Sequence, residues 1–413
     1  MKLSPLVIGI FGISSCSLIH ASALDQSGQS ILPFLETGHY AEVSIASVDP
    51  DISGKIRNRP DLVSDVTNLN TGNMGNSFQY YNAALKLQLT EHVSFGLLYD
   101  QPFGADIHYP LQSNNTFSDN EFSQQGTSVN VDTHNISMLL GISPFTNFQL
   151  YGGAVYQSVE GDVSLRGNAY GPLFNGYDAK FKEDHAVGWL TGLSYQKPEI
   201  ALKAAITYRS KIDHKLQVTE TVFGEPLEAT LPQKTKISTP QSVNLDIQTG
   251  IASNTLAYAN LRWVNWKEFK IRPTQFGALT EYISSIISDG TYVDGFDLDS
   301  YQHDQWTTTL GIGHQFTPKW SASTEISWDS GTGDPASNLN PTKGSWGFGF
   351  GAQFNPTPHY FIAGGIKYFW LGDVIAEDGT YHLPISGIQS TAEQADFKNN
   401  SAIAYGLKMG YRF

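Results

Sequence analysis

The chain is short of charge, and it has almost no cysteine. Its one cysteine, Cys16, lies in the N-terminal leader, so no disulfide framework holds the remainder, and stability must come from packing and hydrogen bonding. Charged residues make up 15%, where soluble domains carry about 25%. Beyond the leader no run of about 18 apolar residues occurs, which excludes a membrane-spanning helix. Basic residues are the minority, 25 Lys and Arg against 39 Asp and Glu, for a net charge of −14. A chain with no basic stripe has no means of neutralising phosphates, so a nucleic-acid partner is not expected.

What is present begins with an address. Lys2 opens the chain, an apolar core follows from Pro5 to Ile13, and Ala21-Ser22-Ala23 has the small residues of a cleavage site. Residues 1–23 are therefore expected to be a secretory signal peptide, with the mature chain starting near Leu24. Ile13-Ser14-Ser15-Cys16 also has the look of a weak lipoprotein box. The better Ala-x-Ala site favours discarding Cys16 with the leader.

The dominant pattern afterwards has a period of two. In the last segment Ile403, Tyr405, Leu407, Met409 and Tyr411 share one face with Phe413, while Ala402, Ala404, Gly406, Lys408, Gly410 and Arg412 share the other. The same alternation sets Tyr81, Leu85 and Leu87 against Lys86 and Gln88, Ile206 and Tyr208 against Lys203 and Arg209, and Leu261 and Trp263 against Arg262. It recurs in Trp320, Ile326 and Trp328 against Ser321 and Glu325, and in Trp346, Phe348 and Phe350 against Gly347 and Gly349. One face suits hydrocarbon and the other a polar lumen, which is the composition of a transmembrane β-barrel wall. Short turns at 90–92, 143–147, 196–199, 252–254, 317–319 and 355–358 alternate with long polar or Gly-rich stretches at 51–77, 105–126, 161–183, 219–236, 268–302, 329–345 and 371–399. Six turns and seven loops join fourteen strands. The spacing predicts an all-β fold: a 14-stranded antiparallel transmembrane β-barrel with long extracellular loops, in one domain over residues 39–413. Residues 24–38 precede it as a short N-terminal periplasmic or plug segment. An even strand count closes the sheet, as lipid requires, because an open edge would find no water there.

At this stage the residues resemble a family. Residues 201–216 (ALKAAITYRSKIDHKL), the run Thr239-Pro240-Gln241-Ser242-Val243-Asn244-Leu245-Asp246, residues 258–269 (YANLRWVNWKEF) and the terminal Gly410-Tyr411-Arg412-Phe413 are similar to segments of FadL-type long-chain fatty acid transporters of the bacterial outer membrane. The resemblance implies capture of a hydrophobic small molecule under the extracellular loops and its release into outer-membrane lipid through an opening beside a kinked third strand. The family's N-terminal hatch carries an Asn-Pro-Ala element, and residues 24–38 contain none. The plug is thus either very short or supplied by a loop. A terminal Phe on an alternating strand also resembles the signal read by the barrel assembly machinery. A monomer is expected.

Three groups of residues are candidates for the site. Pro102, Phe103 and Gly104 interrupt the third strand, since Pro donates no ladder bond and Gly permits a bulge. That marks a lateral gap or simply the strand's end. Phe276, Leu279, Ile283, Ile286 and Ile287 recur at helical spacing in the fifth long loop and would cradle an apolar chain or merely cap the barrel. Lys86, Lys203, Arg209 and Arg262 fall on lumen faces. Arg209 or Arg262 could bind a carboxylate head, or such groups balance lumen carboxylates such as Glu325.

Enzyme readings find little support. His134 and Ser137 are three apart and point to opposite faces of a strand, and neither a G-x-S-x-G nor an H-E-x-x-H occurs. Asp294, Asp297, Asp299 and Asp304 lack EF-hand spacing, so they are expected to be solvated loop, with no metal and no cofactor. The readings left open are a passive transporter of hydrophobic molecules, a general porin with a water-filled lumen, and a lipid-acting barrel enzyme.

Overall fold

The alternating segments all become strands of one closed wall. A computed structural model of the chain describes residues 24–57, 70–112, 115–121, 123–227, 234–385, 388 and 392–413. The leader 1–23, its cleavage site and Cys16 lie outside the described residues.

Fourteen antiparallel strands form the wall: β1 (Tyr40–Asp51), β2 (Phe78–Gln88), β3 (Val93–Asp100 and Gly104–His108), β4 (Ser128–Phe145), β5 (Phe148–Ser164), β6 (Tyr177–Lys197), β7 (Leu202–Arg209 and Ile212–Val222), β8 (Lys234–Thr239 and Ser242–Ala252), β9 (Thr255–Val264), β10 (Gln305–Gln315), β11 (Trp320–Asp329), β12 (Ser345–Thr357), β13 (Tyr360–Leu371) and β14 (Ser401–Arg412). Each strand pairs with the next, and β1 closes on β14 with Tyr40 opposite Arg412 and Asp51 opposite Ser401. All six short turns fall where the sequence places them, and β1 begins one residue after the expected His39.

The two faces separate as the alternation requires. Leu407, Met409, Ile326, Phe348 and Leu140 stand exposed on the outside, while Lys408, Lys367, Arg262 and Asn244 are buried within. Tyr360 and Trp370 mark the two ends of β13, and Trp320 and Trp328 those of β11, all exposed. These pairs form the aromatic girdles that bound a hydrocarbon band about 25 Å tall.

Three strands are broken. In β3 the ladder with β2 runs from Gln88 opposite Ser94 to Ala83 opposite Tyr99 and then stops. Backbone pairing next resumes at an isolated bridge between Gly75 and Ile107. Strand β7 is interrupted at Ser210-Lys211 and β8 at Pro240-Gln241; β6 pairs with both pieces of β7 but not between them.

The long loops fold over one end. They carry the helix α1 (Thr274–Ile287) and a four-stranded sheet assembled from Gly54–Ile56, Ala336–Ser337, Val374–Glu377 and Glu393–Phe397. The residues of that sheet come from three loops that read as irregular in the sequence.

Candidate functional site

Residues 24–38 enter the barrel and form the plug. Ile31, Phe34 and Leu35 are fully or almost fully buried and pack on Leu98, Leu139, Tyr151, Val155 and Leu190 of the inner wall. Gly96 makes this possible: a Cβ there would sit 2.3 Å from the Phe34 ring. Residues 24–38 pack within the barrel although they contain no Asn-Pro-Ala element.

All four lumen cations singled out in the sequence hold this segment. Arg262 donates from Nε to Asp25 Oδ2 at 2.7 Å, from Nη1 to Asn244 at 2.7 Å and from Nη2 to Gln29 at 3.1 Å. Arg209 Nη2 donates to the Gln29 carbonyl at 2.7 Å. Lys203 meets Glu36 at 3.2 Å, and Lys86 Nζ donates to the Gly38 carbonyl at 2.8 Å. Arg209 and Arg262, candidates either for a ligand head group or for balancing lumen carboxylates, line neither of the two cavities described below. A buried guanidinium needs partners, and residues 24–38 supply them. Glu325 pairs instead with Lys367, at 2.9 Å.

The interruption at Pro102, Phe103 and Gly104 is a true break in a strand that continues, and the plug docks on it. Gln26 N–H donates to the Pro102 carbonyl and Gly104 N–H to the Leu24 carbonyl, both at 2.8 Å. Asp25 pairs with Phe103 as an antiparallel bridge. Thr133 Oγ1 accepts from Phe103 N–H at 2.9 Å and donates to its carbonyl at 2.6 Å. On the facing edge, Gln101 Oε1 accepts from Tyr81 N–H at 2.8 Å in place of a ladder bond. Backbone groups freed by the break are thus satisfied by side chains and plug, which is what permits a break at membrane depth.

Phe103 itself is buried and faces inward, edge-on to Trp266 at 5.4 Å. With Leu24, Val129, Leu216, Ile237 and Phe269 it lines a narrow inner cavity of about 50 Å³. A second and larger cavity, of about 260 Å³, lies among the loops between Phe174, Phe276, Phe296 and Glu377. Leu298 and Leu339 line both.

Helix α1 contributes less of its apolar stripe than the spacing suggests. Phe276 and Ile283 line the loop cavity, and Leu279 packs against the surrounding core. Ile286 is 60% exposed and Ile287 46%. The buried face of the helix runs through Phe276, Thr280 and Ser284, four residues apart, which leaves Ile286 on its flank. Nor is the acidic stretch simply solvated. Asp299 is buried, and Asp304 accepts from Trp263 Nε1, Asn265 Nδ2 and Lys267 N–H. Among the loop carboxylates, burial pushes Asp299 up to about 7, with Asp297 adding to it. Burial likewise pushes Glu377 up to about 8, aided by Asp378 and Asp299.

A sequence profile of the outer membrane protein transport family (OMPP1/FadL/TodX) matches residues 103–413. The chain belongs to that family. Its fold is shared with a Pseudomonas aeruginosa FadL homologue at 14% identity, covering 98% of this chain and 97% of the other with a TM-score of 0.67. It is shared also with the toluene transporter TodX of P. putida at 13% identity, covering 92% of each chain with a TM-score of 0.60. The toluene transporter TbuX of Ralstonia pickettii is similar at 13% identity, covering 98% and 99%, with a TM-score of 0.60. None of the curated proteins compared matches the chain. Members of this family are outer-membrane transport proteins for hydrophobic compounds, and the wall described above is an outer-membrane barrel of that kind.

Proposed function

We propose that this protein takes up hydrophobic small molecules, fatty-acid-like or hydrocarbon, passively across the outer membrane. The ligand enters the loop cavity, passes between Leu298 and Leu339 to the inner cavity, and leaves sideways through the wall at Pro102, Phe103 and Gly104. The observation that carries this reading is the position of Phe103, which belongs both to the broken strand and to the inner cavity. Transfer of each methylene from water to an apolar wall is worth about 0.8 kcal/mol, so a predominantly apolar path is sufficient to draw in a ligand without specific contacts.

The break in β7 is a poorer exit. His214 there bonds Asp184 and Gln157, each at 3.0 Å, a polar cluster that an apolar solute would have to cross. A general porin is disfavoured because residues 24–38 occupy the lumen. His134 accompanies Tyr99 at the wall, whereas Ser137 is buried inward, so this pair does not support a lipid-acting enzyme. The protein is taken to act as a monomer after insertion by the barrel assembly machinery. Two measurements on purified protein test the transport reading. It predicts electrical silence in planar bilayers together with saturable uptake of labelled hydrophobe into proteoliposomes. A large steady conductance without such uptake would support a porin.

A further inference from the structure

We propose that the loop cavity selects uncharged amphiphiles, with an apolar body and a hydroxyl head, over carboxylates, and that Asn338 is the head group's partner. This inference rests on the transport reading and names the ligand chemistry of the same site.

The cavity has two unlike walls. Leu165, Leu173, Phe174, Phe276 and Phe296 make the apolar one, while Asp297, Asn338, Glu377, Asp378 and Thr380 make the polar one. Among the described residues no Lys, Arg or His lines it. The guanidinium of Arg272 lies 3.6 Å from Asp297 and is also paired with Glu281 at 2.9 Å. The lumen cations that would suit an anionic head are bound to the plug. A carboxylate entering this cavity would be stripped of water among acidic side chains, with no described cation on the lining, and both effects oppose it. The raised values of Glu377 and Asp299 report the same disfavour toward negative charge.

Asn338 supplies the positive half of the argument. Its main chain is fully engaged: the N–H donates to the Glu377 carbonyl and its own carbonyl accepts from the Tyr109 hydroxyl, each at 2.8 Å. Its side chain is buried at the cavity wall, 1% exposed, and neither Oδ1 nor Nδ2 has a hydrogen-bond partner. A buried amide left without partners is costly and rare. An amide both donates and accepts, and so does a hydroxyl; a carboxylate only accepts, and a hydrocarbon does neither. A small turn of the side chain toward the cavity lets the two groups pair while the ligand's chain lies on the phenylalanines.

The test compares n-decane, 1-decanol and decanoate, which share one chain length, by equilibrium partition at neutral pH into lipid nanodiscs with and without the protein. Decanol is expected to bind saturably and about tenfold more tightly than decane, the worth of one net hydrogen bond, with decanoate the weakest. Asn338→Leu brings decanol to the level of decane and leaves decane unchanged, which also shows that the variant is folded. Repeated at about pH 9, where Glu377 has lost its proton, Glu377→Gln improves decanoate. Decanoate binding as well as decanol, or an unchanged decanol-to-decane ratio in Asn338→Leu, would overturn the inference; the latter would mean that a water satisfies Asn338. Saturable binding of decane alone would leave transport standing and this inference refuted, whereas no saturable binding of any probe contradicts both.

Discussion

Arg262 and Asp25 are joined at 2.7 Å with neither side chain exposed, and so a residue in the ninth strand fixes the beginning of the described chain inside the barrel. The bond anchors residues 24–38, which pack within the barrel. It also fixes Leu24 and Gln26, whose backbones complete the broken third strand.

Removing one partner should release the plug. Breaking a buried ion pair from one side costs about 3–5 kcal/mol, because Arg262 would stay buried without its carboxylate. Asp25→Ala is therefore expected to convert a silent protein into one with a steady ion conductance in planar bilayers. Replacing both residues by Leu removes the stranded charge and should restore much of the closure. A silent Asp25→Ala would mean that the remaining plug contacts suffice.

Gly96 should tolerate no larger side chain while Phe34 is in place. Their closeness predicts that Gly96→Val displaces the ring and opens the lumen, and that adding Phe34→Ala relieves the clash. The double variant still loses Phe34's packing, at about 3–5 kcal/mol, so its plug is looser than the natural one. Protease sensitivity of residues 24–38 in detergent reads both effects.

The loop cap should loosen as pH rises. Glu377, raised to about 8, and Asp299, raised to about 7, hold protons in the folded cap that they would release once solvated. Between about pH 4 and pH 8 the folded cap binds more protons than the opened one, so its stability falls as pH increases through that range. Hydrogen exchange of Val374–Glu377 and Glu393–Phe397, corrected for intrinsic rates, is expected to show less protection at about pH 9 than at about pH 6. Glu377→Gln should flatten the difference.

The wall was legible in the sequence because its signal is local. Alternation such as Ile403 to Phe413 and turns such as Thr146-Asn147 need only neighbouring residues, and fourteen strands follow from them. The lumen cations were visible for the same reason, since parity alone puts Arg209 and Arg262 inside. Their partners were not, because Gln29 and Asp25 lie some 180 to 237 positions away in the chain. The cap sheet was missed outright: its strands are two to five residues long and come from three loops, too short for any period to register. Helix α1 was placed correctly, but its apolar stripe misled for Ile286, because tertiary packing chose the Phe276, Thr280, Ser284 face.

The most direct test of the whole account is to lock the break in β3. Tyr81 and Gln101 face each other across it, joined by the bond from Tyr81 N–H to Gln101 Oε1. Tyr81→Cys with Gln101→Cys, oxidised in proteoliposomes and verified by a shift in gel mobility, ties β2 to β3 at that point. Uptake of labelled hydrophobe is predicted to stop on oxidation and return on reduction. Uptake by the oxidised protein at the natural rate would place the exit elsewhere and contradict the lateral route.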